Sequence, residues 1–473
     1  MAVPIYRPSL PPGRAEAARV GGRRAVVRMA PVACGPVEVT AMAHDGRGIG
    51  QLDGKRIFIH GALRGETVRV LANRRTRGYD EGEVSEILSA SPDRVVPRCA
   101  AYARCGGCSL QHMDPQAQIL AKQQVLLDNL KHIGRVQPER VLPPLTGPVW
   151  GYRRKARLAV RRVRAKERVL VGFRERRSAF IAETERCEVL DERVGARLGL
   201  LAELIAGLSI VDSLPQIEVA VTDALTVLVL RVMDEPTAAD LERLRIFGMA
   251  HHIQFWLQAK GPDSAAPIPG AWAPDQTLAY RLPEDGIEMG FRPHDFTQVN
   301  EAMNRLMVAQ AMALLDPDPT DRLLDLFCGL GNFTLPMARR AREVVGVEGD
   351  ADLVARARAN AERHALPQAR FLTANLYDPA ALDPPPWGRE GFDGVLLDPP
   401  RSGAREVLGA VAATGARRVV YVSCHPATLA RDAADLVHVH GLELTAVGVM
   451  DMFPHTGHVE SIALFERGGR HGA

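Results

Sequence analysis

The sequence predicts an α/β protein in three structured parts: a small β-barrel, a mixed α+β segment, and a parallel sheet covered by helices. Three observations predict it. The chain is 473 residues long, more than one hydrophobic core normally supports. Residues 36–90 carry short runs of alternating apolar and polar residues broken by glycine turns, the pattern of barrel strands that bury one face. From about residue 291 the rhythm becomes strand, loop, helix, repeated, which builds a parallel sheet whose ligands bind at the carboxyl ends of the strands. These shifts set the expected boundaries: 1–32 a basic, disordered arm, 33–92 the barrel, 93–290 the central segment and 291–473 the sheet domain.

With 46% hydrophobic and 24% charged residues the composition is that of an ordinary globular protein. The arm, rich in Pro, Gly and Arg, has no apolar core of a signal peptide, and no apolar run approaches the roughly 20 residues of a membrane span. A cytoplasmic, monomeric protein is expected. The barrel strands are VEVTAMA, KRIFIHGA, ETVRVLAN and EGEVSEIL. Lys55, Arg56, Arg64, Arg69, Arg74, Arg75 and Arg77 suit the backbone of single-stranded or looped RNA, although a merely solvated barrel would carry them too. Pro115 opens an amphipathic helix with Ile119, Leu120, Val125, Leu126, Leu127, Leu130 and Ile133 near one face, closed by Gly134. Between Gly151 and Arg177 twelve Lys and Arg meet two Glu, a local net of +10 in a chain whose total is only +3. Two strands with solvated faces would give such a run; as uncompensated charge it points to a polyanion, nucleic acid above all. LDERVGARLGLLAELIAGL reads as one helix and DALTVLVLRVM as a strand.

Three of the seven cysteines, Cys99, Cys105 and Cys108, are spaced C-x5-C-x2-C, and a fourth, Cys187, lies seventy-nine positions after Cys108. The odd count and the missing secretion signal argue against a disulfide framework. Neighbouring thiolates repel unless a cation neutralises them, so metal ligation is expected. Zinc accepts four cysteines as readily as an iron-sulfur cluster does, so the spacing alone cannot name the metal. A [4Fe-4S] cluster is preferred because the x5 interval and the distant fourth ligand depart from the paired C-x2-C knuckles of zinc ribbons.

The first strand of the sheet domain delivers LLDLFCGLGNFTLPMA, where Asp325, Gly329 and Gly331 form a D-x-x-x-G-x-G turn that a ligand can approach closely. The second strand ends in Glu348, placed to accept two ribose hydroxyls, and the third in Asn375, near where adenine would lie. The dinucleotide motif G-x-G-x-x-G and the Walker lysine are both absent. The site therefore wants a nucleoside without pyrophosphate, and S-adenosylmethionine fits. A Rossmann-like methyltransferase domain follows, with Phe327 flanking the adenosine, Asn332 at the amino acid end and Cys328 as a small filler. The fourth strand ends in Asp398-Pro399-Pro400-Arg401. Methyltransferases of adenine or guanine amino groups place an aromatic after this motif, and those of cytosine C5 in RNA a cysteine; Arg401 fits neither.

The fifth strand ends in Val422-Ser423-Cys424. A pyrimidine C5 is too weak a nucleophile to take a methyl group unaided. A thiolate adding to C6 turns C5 into an enolate-like carbon that can. The C5 proton must then leave to a base, and Glu460, on the last strand after the His455-Thr456-Gly457 turn, is the candidate.

From C-x5-C-x2-C, Phe296-Thr297-Gln298-Val299-Asn300, DLFCGLGNF, LLDPPR, VSC and HVE, the sequence resembles the RNA 5-methyluridine methyltransferase family over about residues 33–468. The likeness is to its bacterial 23S ribosomal RNA (uracil-5-) branch with a TRAM barrel and an iron-sulfur cluster. The resemblance implies Cys99, Cys105, Cys108 and Cys187 as cluster ligands. It implies Gln298, Phe327, Asn332, Glu348, Asn375 and Asp398 at the methyl donor, Cys424 as nucleophile and Glu460 as base. The TRAM-like barrel favours the branch acting on uracil 1939 of the large-subunit RNA. Two other readings stay open: the same chemistry on transfer RNA, and an RNA-binding ribosome assembly factor with an inactive methyltransferase fold. No role is assigned to the basic arm.

Overall fold

The computed structural model describes residues 28–270 and 278–468, in two compact units: one reaches to Gln118 and includes His455–Gly457, and the other comprises Ile119–Pro454 and the chain from His458. Among the described residues no helix is long and apolar enough to cross a membrane.

The first unit is built on a closed barrel of β1 (Arg28–Met42), β2 (Gly48–Leu52), β3 (Lys55–His60), β4 (Thr67–Arg75) and β5 (Tyr79–Ser89), ordered β1-β2-β3-β5-β4. Val37, Val39, Ile57, Ile59, Val68 and Val70 fill it, as alternation places them. Strand β2 escaped the sequence pattern because glycines stand where alternation would show. A Cβ on Gly50 would lie 2.5 Å from Val37 Cγ1 and 2.6 Å from the Glu38 carbonyl oxygen, so closure demands glycine there. Strand β1 begins at Arg28, inside the segment assigned to the arm; the rest of that arm lies outside the described residues. Much of the barrel's basic charge is paired by acids on β5: Lys55 with Asp80 (2.6 Å), Arg69 with Glu86 (3.1 Å) and Arg74 with Glu81 (2.9 Å). Arg56, Arg64 and Arg77 are exposed.

The second unit begins within α1 (Pro115–Asn129). Ile119, Leu126 and Leu130 are buried, whereas Leu120 and Ile133, expected on the same face, are exposed. The chain turns left-handed at Arg135 (φ 53°), one residue later than expected. Gly134 instead permits close packing: a Cβ there would lie 2.6 Å from the Ala430 carbonyl oxygen. Next come β6 (Arg140–Val141), β7 (Lys155–Val163), β8 (Arg168–Gly172), α2 (Glu192–Gly195), α3 (Leu198–Ala206), β9 (Gln216–Val221), β10 (Thr226–Arg231), α4 (Ala238–His251), β11 (Gln254–Gln258) and β12 (Ala266–Pro267). All these strands except β6 form one sheet, ordered β12-β11-β10-β9-β7-β8. The single helix expected over 190–208 is two, α2 and α3, because Asp191 caps a first short turn through the Arg193 amide and Gly195 packs on the Cys187 carbonyl.

A hairpin of β13 (Leu278–Leu282) and β14 (Ile287–Phe291) precedes α5 (Glu301–Leu315). Then follow β15 (Arg322–Leu326), α6 (Thr334–Ala338), β16 (Glu343–Glu348), α7 (Ala351–Arg363), β17 (Ala369–Thr373), β18 (Gly394–Leu397), α8 (Leu408–Ala413), β19 (Arg418–Ser423), α9 (Pro426–Ala434), β20 (Leu442–Met450) and β21 (Glu460–Arg467). The sheet order is β17-β16-β15-β18-β19-β21-β20-β6. Strands β15 to β19 are parallel and largely apolar in their interiors, with Leu323, Val344 and Val420 toward one core and Leu324, Val345 and Val419 toward the other. Strand β21 is antiparallel to β19, pairing Ser461 with Ser423. Its first residue, Glu460, therefore starts at the edge where β19 ends.

Candidate active site

Every candidate donor residue except Gln298 lies at or just beyond the carboxyl end of a parallel strand. Beyond β15, Phe327 adopts a left-handed backbone (φ 63°), a strained state for an aromatic residue that turns the chain sharply into the glycine loop. Gly331 (φ 91°) has a backbone conformation that side-chain-bearing residues rarely adopt; around Gly329 (φ 53°) nothing stands within 4 Å of an added Cβ, leaving room for a ligand. Glu348, at the end of β16, accepts from the amides of Gly329 (3.1 Å), Gly349 (2.7 Å) and Asp350 (3.1 Å), so its carboxylate is held in place before any ribose arrives. Asn375 accepts from the Tyr377 amide (3.0 Å), and the Tyr377 ring stands 5.6 Å from that of Phe327. Asn332 exchanges hydrogen bonds with Asn304 (3.0 and 2.9 Å) and accepts from the Tyr280 hydroxyl (2.9 Å). Gln298 lines a small cavity with the same Tyr280 and Asn304. Cys328 is buried, its thiol pushed up by burial, and a Cβ on Gly346 would lie 3.0 Å from its sulfur. It fills space, as expected.

Cys424 directly follows β19 and is half-buried. His425 then caps α9, its Nδ1 accepting from the Thr428 amide (3.3 Å), so the cysteine is fixed between a central strand and a helix start. Burial pushes its thiol up to about 11, and the carboxyls of Glu460 and Asp398 add to the effect against Arg401. Burial raises Glu460 to about 8, with Asp398 adding to the rise, and burial raises Asp398 to about 7. Three acidic groups thus share one enclosed edge, an arrangement that favours an incoming cation. Arg401 donates to His458 Nδ1 (2.8 Å), while burial, with Arg401 beside it, holds that imidazole down at about 4. The ring is therefore neutral.

Sequence reasoning missed Tyr280, Asn304 and Tyr377. They are ordinary residues in ordinary elements, and only the fold brings them to Asn332 and Phe327.

In the first unit, the Cys105 amide donates to the Ala101 carbonyl (2.8 Å), the Cys99 amide to Gln111 Oε1 (3.1 Å) and the Gly107 amide to Cys105 Sγ (3.4 Å). In the second, the Cys187 amide donates to the Gly195 carbonyl (2.9 Å). Among the described residues no grouping of His, Cys, Asp and Glu is disposed as a metal site. The basic run at 151–177 forms β7 and β8 with Ala156, Leu158 and Val160 buried and Arg157 and Arg161 exposed. Its charge is less uncompensated than the sequence suggests: Glu218 pairs Arg157 (2.9 Å), Asp212 pairs Arg162 (3.3 Å), and Glu183 pairs Lys166. Those acids come from other segments, out of reach of a local count.

A parallel sheet with a glycine turn after its first strand and an acid ending its second is the fold of an S-adenosylmethionine-dependent methyltransferase. A family profile described as tRNA (Uracil-5-)-methyltransferase matches residues 275–376 and 387–468, and the TRAM domain profile matches 35–85. A 23S rRNA (uracil(1939)-C(5))-methyltransferase RlmD from Alkalilimnicola ehrlichii is 56% identical, over 91% of this chain and 96% of its own. The protein of the same name from Thiobacillus denitrificans is 53% identical, over 91% and 99%. The chain belongs to this RlmD family. The crystal structure of a Pyrococcus abyssi tRNA (uracil-54, C5)-methyltransferase in complex with S-adenosyl-L-homocysteine shares the fold, with a TM-score of 0.67 at 23% identity over 90% of this chain and 99% of that one.

Proposed function

We propose that the protein transfers a methyl group from S-adenosylmethionine to C5 of a uridine in 23S ribosomal RNA, the one that its RlmD relatives are named for, uracil 1939. The observation that carries this reading is the edge shared by Cys424, Glu460 and Asp398, where β18 and β19 end and β21 begins. Cys424 thiolate adds to C6, and the C5=C6 electron pair moves onto C5 and the adjoining carbonyl. C5 then takes the methyl group, the sulfonium–carbon bond breaks, and S-adenosylhomocysteine is left. Glu460 accepts the C5 proton, C5=C6 re-forms, and the thiolate is expelled. The donor's positive sulfur favours the ionised forms of Asp398, Glu460 and Cys424, so donor binding favours loss of the thiol proton to solvent and formation of the thiolate.

Cys99, Cys105 and Cys108, with Cys187, are proposed to hold a [4Fe-4S] cluster. The support is the all-sulfur donor set, its spacing, and an amide aimed at Cys105 sulfur, as the thiolates of such clusters accept. The cluster would supply structure; no step of the transfer requires it. The exposed arginines of β7 and the barrel would hold the RNA backbone, and the protein would act in the cytoplasm as a monomer.

RNA carrying 5-fluorouridine at the target tests the covalent route, because fluorine cannot leave as a cation. Wild-type protein with S-adenosylmethionine should give an adduct that survives denaturation, and Cys424→Ala none. An adduct in Cys424→Ala, or one mapping to Cys328, would refute the nucleophile.

A further inference from the structure

A buried lysine close to the base is unused by the chemistry above. Lys122, from α1, is 3% exposed, and its ammonium donates to Asp451 Oδ1 at 2.7 Å and to the Phe453 carbonyl at 3.0 Å. Asp451 follows Met450, the residue paired across the sheet with Glu460. A lysine outside the segments matched by the methyltransferase profile is thus anchored at the end of β20 and β21 from which Glu460 is presented. A buried ion pair contributes little to stability compared with apolar packing of the same volume, so its presence here suggests a use.

The charged groups facing Glu460 are few. Asp398 at the end of β18 and Cys424 at the end of β19 disfavour its ionisation, whereas Arg401 and Lys122 favour it. Asp451, after β20, is bonded to Lys122, and the neutral His458 to Arg401. Arg401 is exposed, whereas Lys122 is enclosed and held by two acceptors. Burial lowers the Lys122 ammonium, and Asp451 acts against that.

We propose that Lys122 is a positioning residue for the second half of the reaction, its ammonium favouring the ionised form of the Glu460 carboxyl while the covalent adduct is in place. The proposal rests on Glu460 being the base. A carboxyl that is protonated when the methylated adduct forms cannot take the C5 proton, and the surrounding acids push Glu460 toward that form. A cation that water does not screen opposes them throughout the cycle.

The test uses full-length protein and a 23S RNA fragment carrying tritium at uridine C5, reading adduct on denaturing gels and tritium release across the neutral to alkaline range. Lys122→Met should bind S-adenosylmethionine and form adduct as the wild type does. Its tritium release should be about tenfold slower at neutral pH, because a smaller fraction of the base is ionised there, and should recover as the pH rises. Adduct should accumulate meanwhile, and Lys122→Arg should restore most of the rate. Should Lys122→Met fail to fold, Lys122→Met/Asp451→Asn, which empties the site of both charges, carries the same expectations. A release profile that superposes on wild type, or a loss equal at every pH, would overturn the proposal. Wild-type tritium release by Glu460→Gln would instead remove the base assignment on which it rests.

Discussion

At the scale of single residues, the chemistry selects types that leave little freedom. In the proposed reaction, addition to C6 calls for a thiolate and proton removal for a base, and the sequence offered Cys424 at the end of one strand-like run and Glu460 at the start of another as candidates for these roles. Tyr280, Asn304, Tyr377 and Lys122 were not legible, because nothing in a local pattern distinguishes a tyrosine on a hairpin or a lysine on a helix from its neighbours. The burial of Glu460 also has a cost in stability that can be measured. Its folded carboxyl titrates at about 8 against an ordinary 4.5, so the folded state binds a proton that the unfolded state has released. Stability is therefore complete below 4.5 and declines as pH rises toward 8. Glu460→Gln carries no such penalty. Its melting temperature should exceed that of the wild type by a few degrees at alkaline pH and match it at mildly acid pH. A constant difference across the range would show that Glu460 is not a buried, neutral acid in the resting protein.

Elements were legible where side chains follow the period of their structure, as in β15, β16, β18 and β19, whose interiors are largely apolar because both sheet faces are covered. They were illegible where backbone proximity rather than side chains decides. Strand β2 shows no alternation because its glycines lie against β1, and the helix expected over 190–208 breaks because Gly195 is pressed on the Cys187 carbonyl. Gly50→Ala tests that account of the barrel. The added methyl meets Val37 and the Glu38 backbone, neither of which can withdraw far, so it should cost about 1–3 kcal/mol in chemical denaturation. Donor binding in the second unit should be untouched. An unaltered denaturation midpoint would show that the closure between β1 and β2 is looser than these distances indicate.

For the whole molecule, the order of barrel, cysteine-bearing segment and parallel sheet was legible because each has its own rhythm. The electrostatics were less so, since acids distant in sequence pair with many of the arginines. Binding of RNA phosphates should therefore fall to those left exposed. Replacing Arg56, Arg64 and Arg161 by Gln should weaken RNA binding and flatten its salt dependence, by about 0.7–0.9 in the log–log slope for each phosphate no longer neutralised, with S-adenosylmethionine affinity unchanged. Weaker binding with an unaltered slope would assign those residues another role. The central claim, methylation of a 23S ribosomal RNA uridine through Cys424, is tested most directly in cells lacking the gene. Mass spectrometry of 23S RNA fragments should show 5-methyluridine at the position of uracil 1939 lost on deletion, restored by the wild-type gene and not by Cys424→Ala. A mark that persists after deletion, or returns with Cys424→Ala, would contradict it.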